Sequence, residues 1–274
     1  MTDINRKSVL ITGAGHGIGK IMAERIAALG AAKLIIFDIN KDNLDNAAKE
    51  LREMGPEVYP KVCDISDREA VYRCADEVHK EAGQVDILIN NAGVVFTGEI
   101  LDLPDDRHKK QVDVNLLGTL WMLKAFVPDM VDRNEGHIVN IASSAGMLAV
   151  PGMGIYCATK FALMGLTEAL RGELLNHDSS VKVTVVCPYA IDTGMFNGFK
   201  PLPLMPILKP EVMAQAVVEG ILKDRKIVAK PLTVYMLPLV KALVPPSVVD
   251  RIVRLLGLNR SAYSCLDFYK KGAE

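Results

Sequence analysis

Between residue 8 and about residue 190 the chain alternates short aliphatic, largely β-branched runs with longer stretches whose apolar positions recur at helical spacing. The runs are Ser8-Val9-Leu10-Ile11, Lys33-Leu34-Ile35-Ile36-Phe37, Glu57-Val58-Tyr59, Asp86-Ile87-Leu88-Ile89, and residues 137–141 and 181–186. Continuously apolar runs are what strands covered on both faces require, as in a parallel sheet. Between them, Ile18, Met22, Ile26 and Leu29 share one face of a helix that stops at Gly30. Residues 67–80, 104–130 and 155–175 read as further helices. Such repeated βα units predict an α/β fold, a doubly wound parallel sheet in a single domain. Its core spans about residues 7–195, with a loop and C-terminal extension over 196–274.

The last quarter changes character. Pro201, Pro203, Pro206 and Pro210 predict an irregular loop over residues 198–210. Ser247 precedes a helix with Val249, Ile252, Val253 and Leu256 on one face, stopping near Gly257. Residues 200–274 carry twelve Lys or Arg against six Asp or Glu, a net +6 in a chain whose total is −1. Within residues 227–257, Leu232, Val234, Met236, Leu237, Leu239, Val240, Leu243 and Val244 form an apolar stretch beside this basic tail. It reads as a lid or an oligomer contact, with weak contact to an anionic membrane surface as the alternative.

A chain of 274 residues, half of them apolar, buries a full core without staples. Near-neutral charge and few aromatics argue against nucleic acid as a partner. Five scattered cysteines (Cys63, Cys74, Cys157, Cys187, Cys265) without a CxxC pair suit a reducing compartment. The histidines show no ligand spacing, so no metal site is expected. No uninterrupted apolar run of about 18 residues and no signal-like N-terminus is present, which predicts a soluble, cytoplasmic protein.

The first strand runs directly into Thr12-Gly13-Ala14-Gly15-His16-Gly17-Ile18-Gly19 and then a helix. Glycines there allow a tight turn and let the backbone approach a pyrophosphate at the helix N-terminus. The second strand ends at Asp38, about twenty residues on, where a carboxylate accepts from an adenine-ribose 2′-OH and repels a 2′-phosphate. The pair favours NAD over NADP.

Tyr156 and Lys160, four residues apart, share one face of a helix. An ammonium near a phenol favours the phenolate, so the pair suits proton exchange with an alcohol or carbonyl. Together with the Thr12–Gly19 loop, Asn90-Asn91-Ala92-Gly93, Asn115 in Val114-Asn115-Leu116, and Ser143 thirteen residues before Tyr156, it resembles the short-chain dehydrogenase/reductase family. The resemblance covers residues 9 to about 195 and implies a Rossmann fold. It implies that Tyr156 exchanges the proton, Lys160 lowers the tyrosine pKa and holds the nicotinamide ribose, and Ser143 bonds the substrate oxygen. Asn115 would anchor a water that relays protons from Lys160. Ser143 rather than Ser144 fits the spacing to Gly146.

The same resemblance implies cofactor contacts from Gly13, Gly15, His16, Gly17, Ile18, Gly19, Asp38 and Ile39. Asp64 and Ile65 would touch the adenine ring. Asn91, Ala92 and Gly93, then Pro188, Ile191 and Thr193, would complete the set. Tyr189-Ala190 follows that proline where the family usually has glycine, which directs a bulky ring to the substrate side or the nicotinamide. Pairing as a homodimer or homotetramer through helices 104–130 and 155–175 is also implied.

Substrate-side loops contribute Val94, Phe96, Met147, Leu148, Val150, Met153, Met195, Phe196, Phe199, Leu202, Leu204 and Met205, with few charges. That lining suits a lipophilic alcohol or ketone, steroid- or retinol-like. The competing readings are a reductase of other ketones, acyl compounds or xenobiotics, and a non-catalytic dinucleotide sensor.

Overall fold

The computed structural model describes residues 1–195, 198–199, 201, 205–255 and 257. Seven parallel strands form one sheet: β1 (Ser8–Thr12), β2 (Lys33–Asp38), β3 (Glu57–Val62), β4 (Ile87–Asn90), β5 (His137–Ile141), β6 (Lys182–Pro188) and β7 (Ile227–Lys230). Their spatial order is β3-β2-β1-β4-β5-β6-β7. The order reverses between β1 and β4, and in such sheets a crevice opens at the carboxyl ends of the strands on either side of the reversal. Every candidate site loop follows a strand at that end.

Helices cover both faces. Met22 and Ile26 of α1 (Gly17–Ala28), Leu44 and Leu51 of α2 (Lys41–Glu53) and, from later in the chain, Met213 and Val217 bury into one cluster. On the opposite face, Val71 and Val78 of α3 (Arg68–Glu81) join residues of the next two crossovers. The first crossover is α4 (Asp105–Val112) and α5 (Thr119–Asp132), joined by a π-helical turn, Asp113–Gly118. The second is α6 (Gly154–Asn176), which carries Tyr156 and Lys160. Gly30 closes α1 at φ +83°, with Gly30 N–H on Ala27 O and Ala31 N–H on Ile26 O, the two bonds of a Schellman cap.

Residues 105–132 are long and apolar enough, by length and composition, to cross a membrane. Half of that window is buried, with Met122 and Phe126 in the core, as a sheet-covering helix requires. Leu123 and Val127 of this helix lie in that core as well. Leu116 and Leu120 are half-buried.

The C-terminal quarter holds more regular structure than its sequence suggests. Pro210, read as loop, is the first residue of α7 (Pro210–Leu222), where a missing N–H costs nothing. Ile227–Lys230, read as part of a surface segment, is a seventh strand paired with β6. Beyond it come a 3₁₀ turn (Leu232–Met236), α8 (Leu237–Leu243) and α9 (Pro246–Leu255). Phe196, Leu202, Leu204, Leu256 and Cys265 lie outside the described residues.

Candidate active site

The glycine loop owes its shape to contacts with the end of β4. Asn91 Nδ2 donates to the carbonyls of Thr12 (2.9 Å) and Gly13 (3.1 Å). Thr12 Oγ1 accepts from the backbone N–H of Asn91 (2.9 Å) and Ala92 (3.0 Å). The two carboxyl-terminal turns flanking the crevice are thereby latched together, with Thr12 and Asn91 as the latch. A Cβ on Gly19 would lie 2.0 Å from the Gly13 carbonyl oxygen, so only glycine lets α1 start this close to the loop.

Asp38 sits buried at the end of β2. Its carboxylate accepts from Gly15 N–H at 2.8 Å and Asn40 N–H at 3.0 Å, and His16 Nδ1 stands 3.8 Å away. Burial alone would raise this carboxyl, but His16 and the two N–H donors outweigh it and hold the group below the usual carboxylate range. It is therefore ionised at neutral pH. Next to it, Asp64 accepts from Lys110 Nζ at 2.9 Å and from the Ser66 hydroxyl at 2.6 Å. Lys110, on α4, lines the same cleft and was not singled out from sequence. Only the fold brings it to Asp64, 46 residues away in the chain.

One cleft of about 540 Å³ joins these parts. Asp38, Ile39, Asp64 and Ile65 line one end, the glycine loop with Ala92 and Gly93 the middle, and Ser143, Tyr156, Lys160, Pro188, Ile191 and Thr193 the other end. Two predicted residues stand behind the wall. Gly15 spends its N–H on Asp38. Asn115 is buried, its Oδ1 accepting from Val94 N–H (2.8 Å) and its Nδ2 donating to Val94 O (2.8 Å) and Thr159 Oγ1 (3.2 Å). Its amide is thus committed to protein partners, holding the Gly93–Val94 turn beside Lys160.

Ser143, not Ser144, faces the cleft. Its Oγ accepts from Ala145 N–H at 3.1 Å, starting the 3₁₀ turn Ser144–Gly146, and it hydrogen-bonds the Tyr156 phenol. Gly146 closes that turn against α6: a Cβ there would meet the Lys160 carbonyl oxygen at 2.7 Å. Burial pushes the Tyr156 phenol up to about 12, with the Ser143 bond pulling the other way. Burial likewise pushes Lys160 down to about 8. Lys160 Nζ donates to Ile141 O at 2.8 Å and lies 5.7 Å from the Tyr156 ring centroid. The desolvated ammonium thus donates to a main-chain carbonyl and stands over the ring.

A buried polar chain sets α6 against the sheet. Asn90 Nδ2 donates to Asn140 Oδ1 (2.8 Å), Asn140 Nδ2 to Thr167 Oγ1 (2.9 Å), and Thr167 Oγ1 to Leu163 O (2.6 Å). Asn140 and Thr167 read from sequence as ordinary strand and helix residues. Asn140→Ala strands the Asn90 amide, and a loss of about 2 kcal/mol of unfolding free energy is expected. An unchanged denaturant midpoint would show that the chain bears no load.

Around the catalytic end the walls are apolar: Val94, Val95, Phe96, Tyr189 and Met195 line the cleft. Tyr189 stacks edge-on against Phe199 with centroids 5.8 Å apart, so the ring in the usual glycine place becomes a wall of the substrate side. Met147, Met153 and Phe199, expected in the lining, are instead core residues behind it.

The comparisons with known proteins agree with this geometry. Residues 7–201 match the family model described as short chain dehydrogenase. The chain is 44% identical over 254 residues to epidermal retinol dehydrogenase 2 of Mus musculus, covering 91% of this chain and 82% of that protein. It is 38% identical over 255 residues to estradiol 17-beta-dehydrogenase 11 of Rattus norvegicus, covering 93% and 84%. A short chain dehydrogenase/reductase from Burkholderia phymatum, solved with NAD, aligns with TM-score 0.81 at 30% identity over 88% of this chain and 95% of that one. One from Sphingobium yanoikuyae, solved with NADPH, aligns with TM-score 0.77 at 28% identity over 89% and 95%. The fold and the cleft thus define a dinucleotide-linked oxidoreductase. The chain belongs to the short-chain dehydrogenase family.

Proposed function

We propose that the protein transfers a hydride between NAD(H) and a lipophilic secondary or allylic alcohol or ketone of the steroid or retinol kind. The observation that carries the reading is one cleft with an ionised Asp38 at one end, Ser143, Tyr156 and Lys160 at the other, and apolar walls beyond them. Retinol and estradiol dehydrogenases among the relatives support the same substrate class. The residues fit a dinucleotide: a glycine cradle faces the middle of the cleft, and Asp38 keeps its charge where a ribose hydroxyl needs an acceptor and a 2′-phosphate would be repelled.

A bound nicotinamide supplies the hydride acceptor or donor. The chain handles the proton. Ser143 Oγ–H donates to the substrate oxygen, and Tyr156 Oη takes the hydroxyl proton in oxidation or returns it in reduction. Lys160, freed from Ile141 O, holds the ribose and passes the proton outward. Asn115 acts as a positioning residue for Gly93 and Val94. Pairing of two or four copies, cytoplasmic placement and the half-buried Leu116 and Leu120 as contact residues belong to the same reading.

The test is initial rates with NAD and NADP against retinoid, steroid and short aliphatic alcohols. Strong NAD-linked turnover of the bulky lipophilic members is expected. Activity confined to small polar alcohols would overturn the substrate class. Asp38→Ser removes the charge but keeps a hydroxyl, and on the order of a tenfold gain in kcat/KM with NADP relative to NAD is expected. An unchanged ratio would mean that Asp38 only braces the glycine loop.

A further inference from the structure

We propose that α8 and α9 form a docking surface for an anionic phospholipid bilayer, placed against the substrate wall of the cleft. Each helix leaves one apolar stripe uncovered among the described residues. Met236, just before α8, recurs at helical spacing with Leu239 and Leu243 on it, and Val248, Ile252 and Leu255 do so along α9. All six are exposed, Leu243 to 73% and Leu255 to 87%, and neither helix buries a single residue. Apart from Leu237, which packs on the cluster behind the cleft, the apolar side chains of α8 gain little from the core by folding there, and α9 has none in it. Their apolar faces need another medium.

The inner side of the segment, by contrast, is firmly tied down. Val234 is fully buried in the cluster that contains Tyr189 and Phe199, and Leu237 packs on it. Tyr235 Oη accepts from Ala229 N–H at 3.1 Å and donates to Ile227 O at 3.2 Å, fixing the turn to β7. Lys241 Nζ lies 4.7 Å from the ring centroid of Phe161, the residue after Lys160. The exposed stripe of α8 is therefore carried by a turn and helix that pack on the cluster behind the cleft, and α9 follows against α8.

Charge selects the occupant. Residues 223–257 contain Lys223, Arg225, Lys226, Lys230, Lys241, Arg251 and Arg254 against Asp224 and Asp250, a net +5, while the whole chain is −1. Apolar stripes flanked by cations suit an interface of acyl chains and anionic headgroups. A second copy of the chain would bring the same positive charge to the contact. The inference extends the lipophilic-substrate reading, since an alcohol of that kind partitions into the bilayer; flotation tests it without any turnover.

The full chain is mixed with vesicles of phosphatidylcholine alone, or with about a third phosphatidylserine, at low and high salt, and floated. Binding to the anionic vesicles at low salt, weakened by salt, is expected. L243E/I252E, both changes at exposed positions, should cut that binding on the order of tenfold or more, and R251E/R254E similarly, with rates on a soluble short alcohol unchanged. Three results overturn the proposal: no flotation of the parent at low salt, a L243E/I252E protein that floats equally well, or a concentration-dependent oligomer that L243E/I252E dissociates while neither protein floats. Flotation without turnover on any alcohol would leave the surface standing and remove the proposed function.

Discussion

Tyr156→Phe is expected to fold, to bind NAD(H) like the parent and to lose two to four orders of magnitude in turnover, the usual worth of a positioned proton donor or acceptor. The change removes one oxygen from a buried ring packed with Met153 and Cys157, so the core is undisturbed. Calorimetric cofactor titration beside initial rates checks both halves; turnover equal to the parent's would refute the proton role. The pH dependence carries a further sign. Oxidation needs the phenolate, and burial has pushed the phenol up to about 12, so kcat/KM for oxidation should climb from neutral into alkaline pH. Reduction needs the phenol and should stay level through neutrality. An oxidation rate that falls above pH 7 would be the wrong sign.

Gly19→Ala is expected to be as damaging to cofactor binding as Tyr156→Phe is to chemistry. The added methyl must occupy a point 2.0 Å from Gly13 O, and backbone cannot yield as a flexible side chain can. Either α1 retreats from the loop or the Thr12–Asn91 latch opens. Overpacking of this sort costs about 3 kcal/mol, equivalent to somewhat over a hundredfold in NAD affinity if the strain falls on the loop, or a matching drop in stability if it falls on β1. Cofactor titration and a denaturant melt, run on the same preparation, separate the two. A protein indistinguishable from the parent in both would mean the loop has another way to close.

What the sequence reveals here follows from how locally each feature is encoded. The strands β1 to β6 each fall on a short, largely aliphatic run and are legible as such. So are the glycine loop and the Tyr156–Lys160 spacing, because each is a short motif with one backbone solution. β7 is not. Its four residues, Ile227-Val228-Ala229-Lys230, run on into a long apolar stretch, and only pairing with β6 makes them a strand. Pro210 misled for a related reason, since proline punctuates a loop and opens a helix equally well. The latch through Thr12 and Asn91, the Asn90–Asn140–Thr167 chain and the Lys110–Asp64 pair depend on tertiary proximity that no spacing encodes. The Lys160 contact with Ile141 O is of the same kind: four residues on a helix put an ammonium near a phenol, but only the fold brings the end of β5 within reach of it.

The π turn at Asp113–Gly118 acts as a phase shifter within its helix. It holds one residue more than the α-helical turn it replaces, so the faces of α4 and α5 are rotated by about 100° from where a regular helix would carry them. Upstream of it, Gln111 accepts from Phe96 N–H and Lys110 reaches Asp64, both at the cleft. Downstream, Met122 and Phe126 fill the core. The extra residue lets one helix serve two masters whose directions a single periodicity could not reconcile, and it places Asn115 at the joint. Cleft-facing residues of α4 such as Lys110 are thereby decoupled from the core-facing stripe of α5.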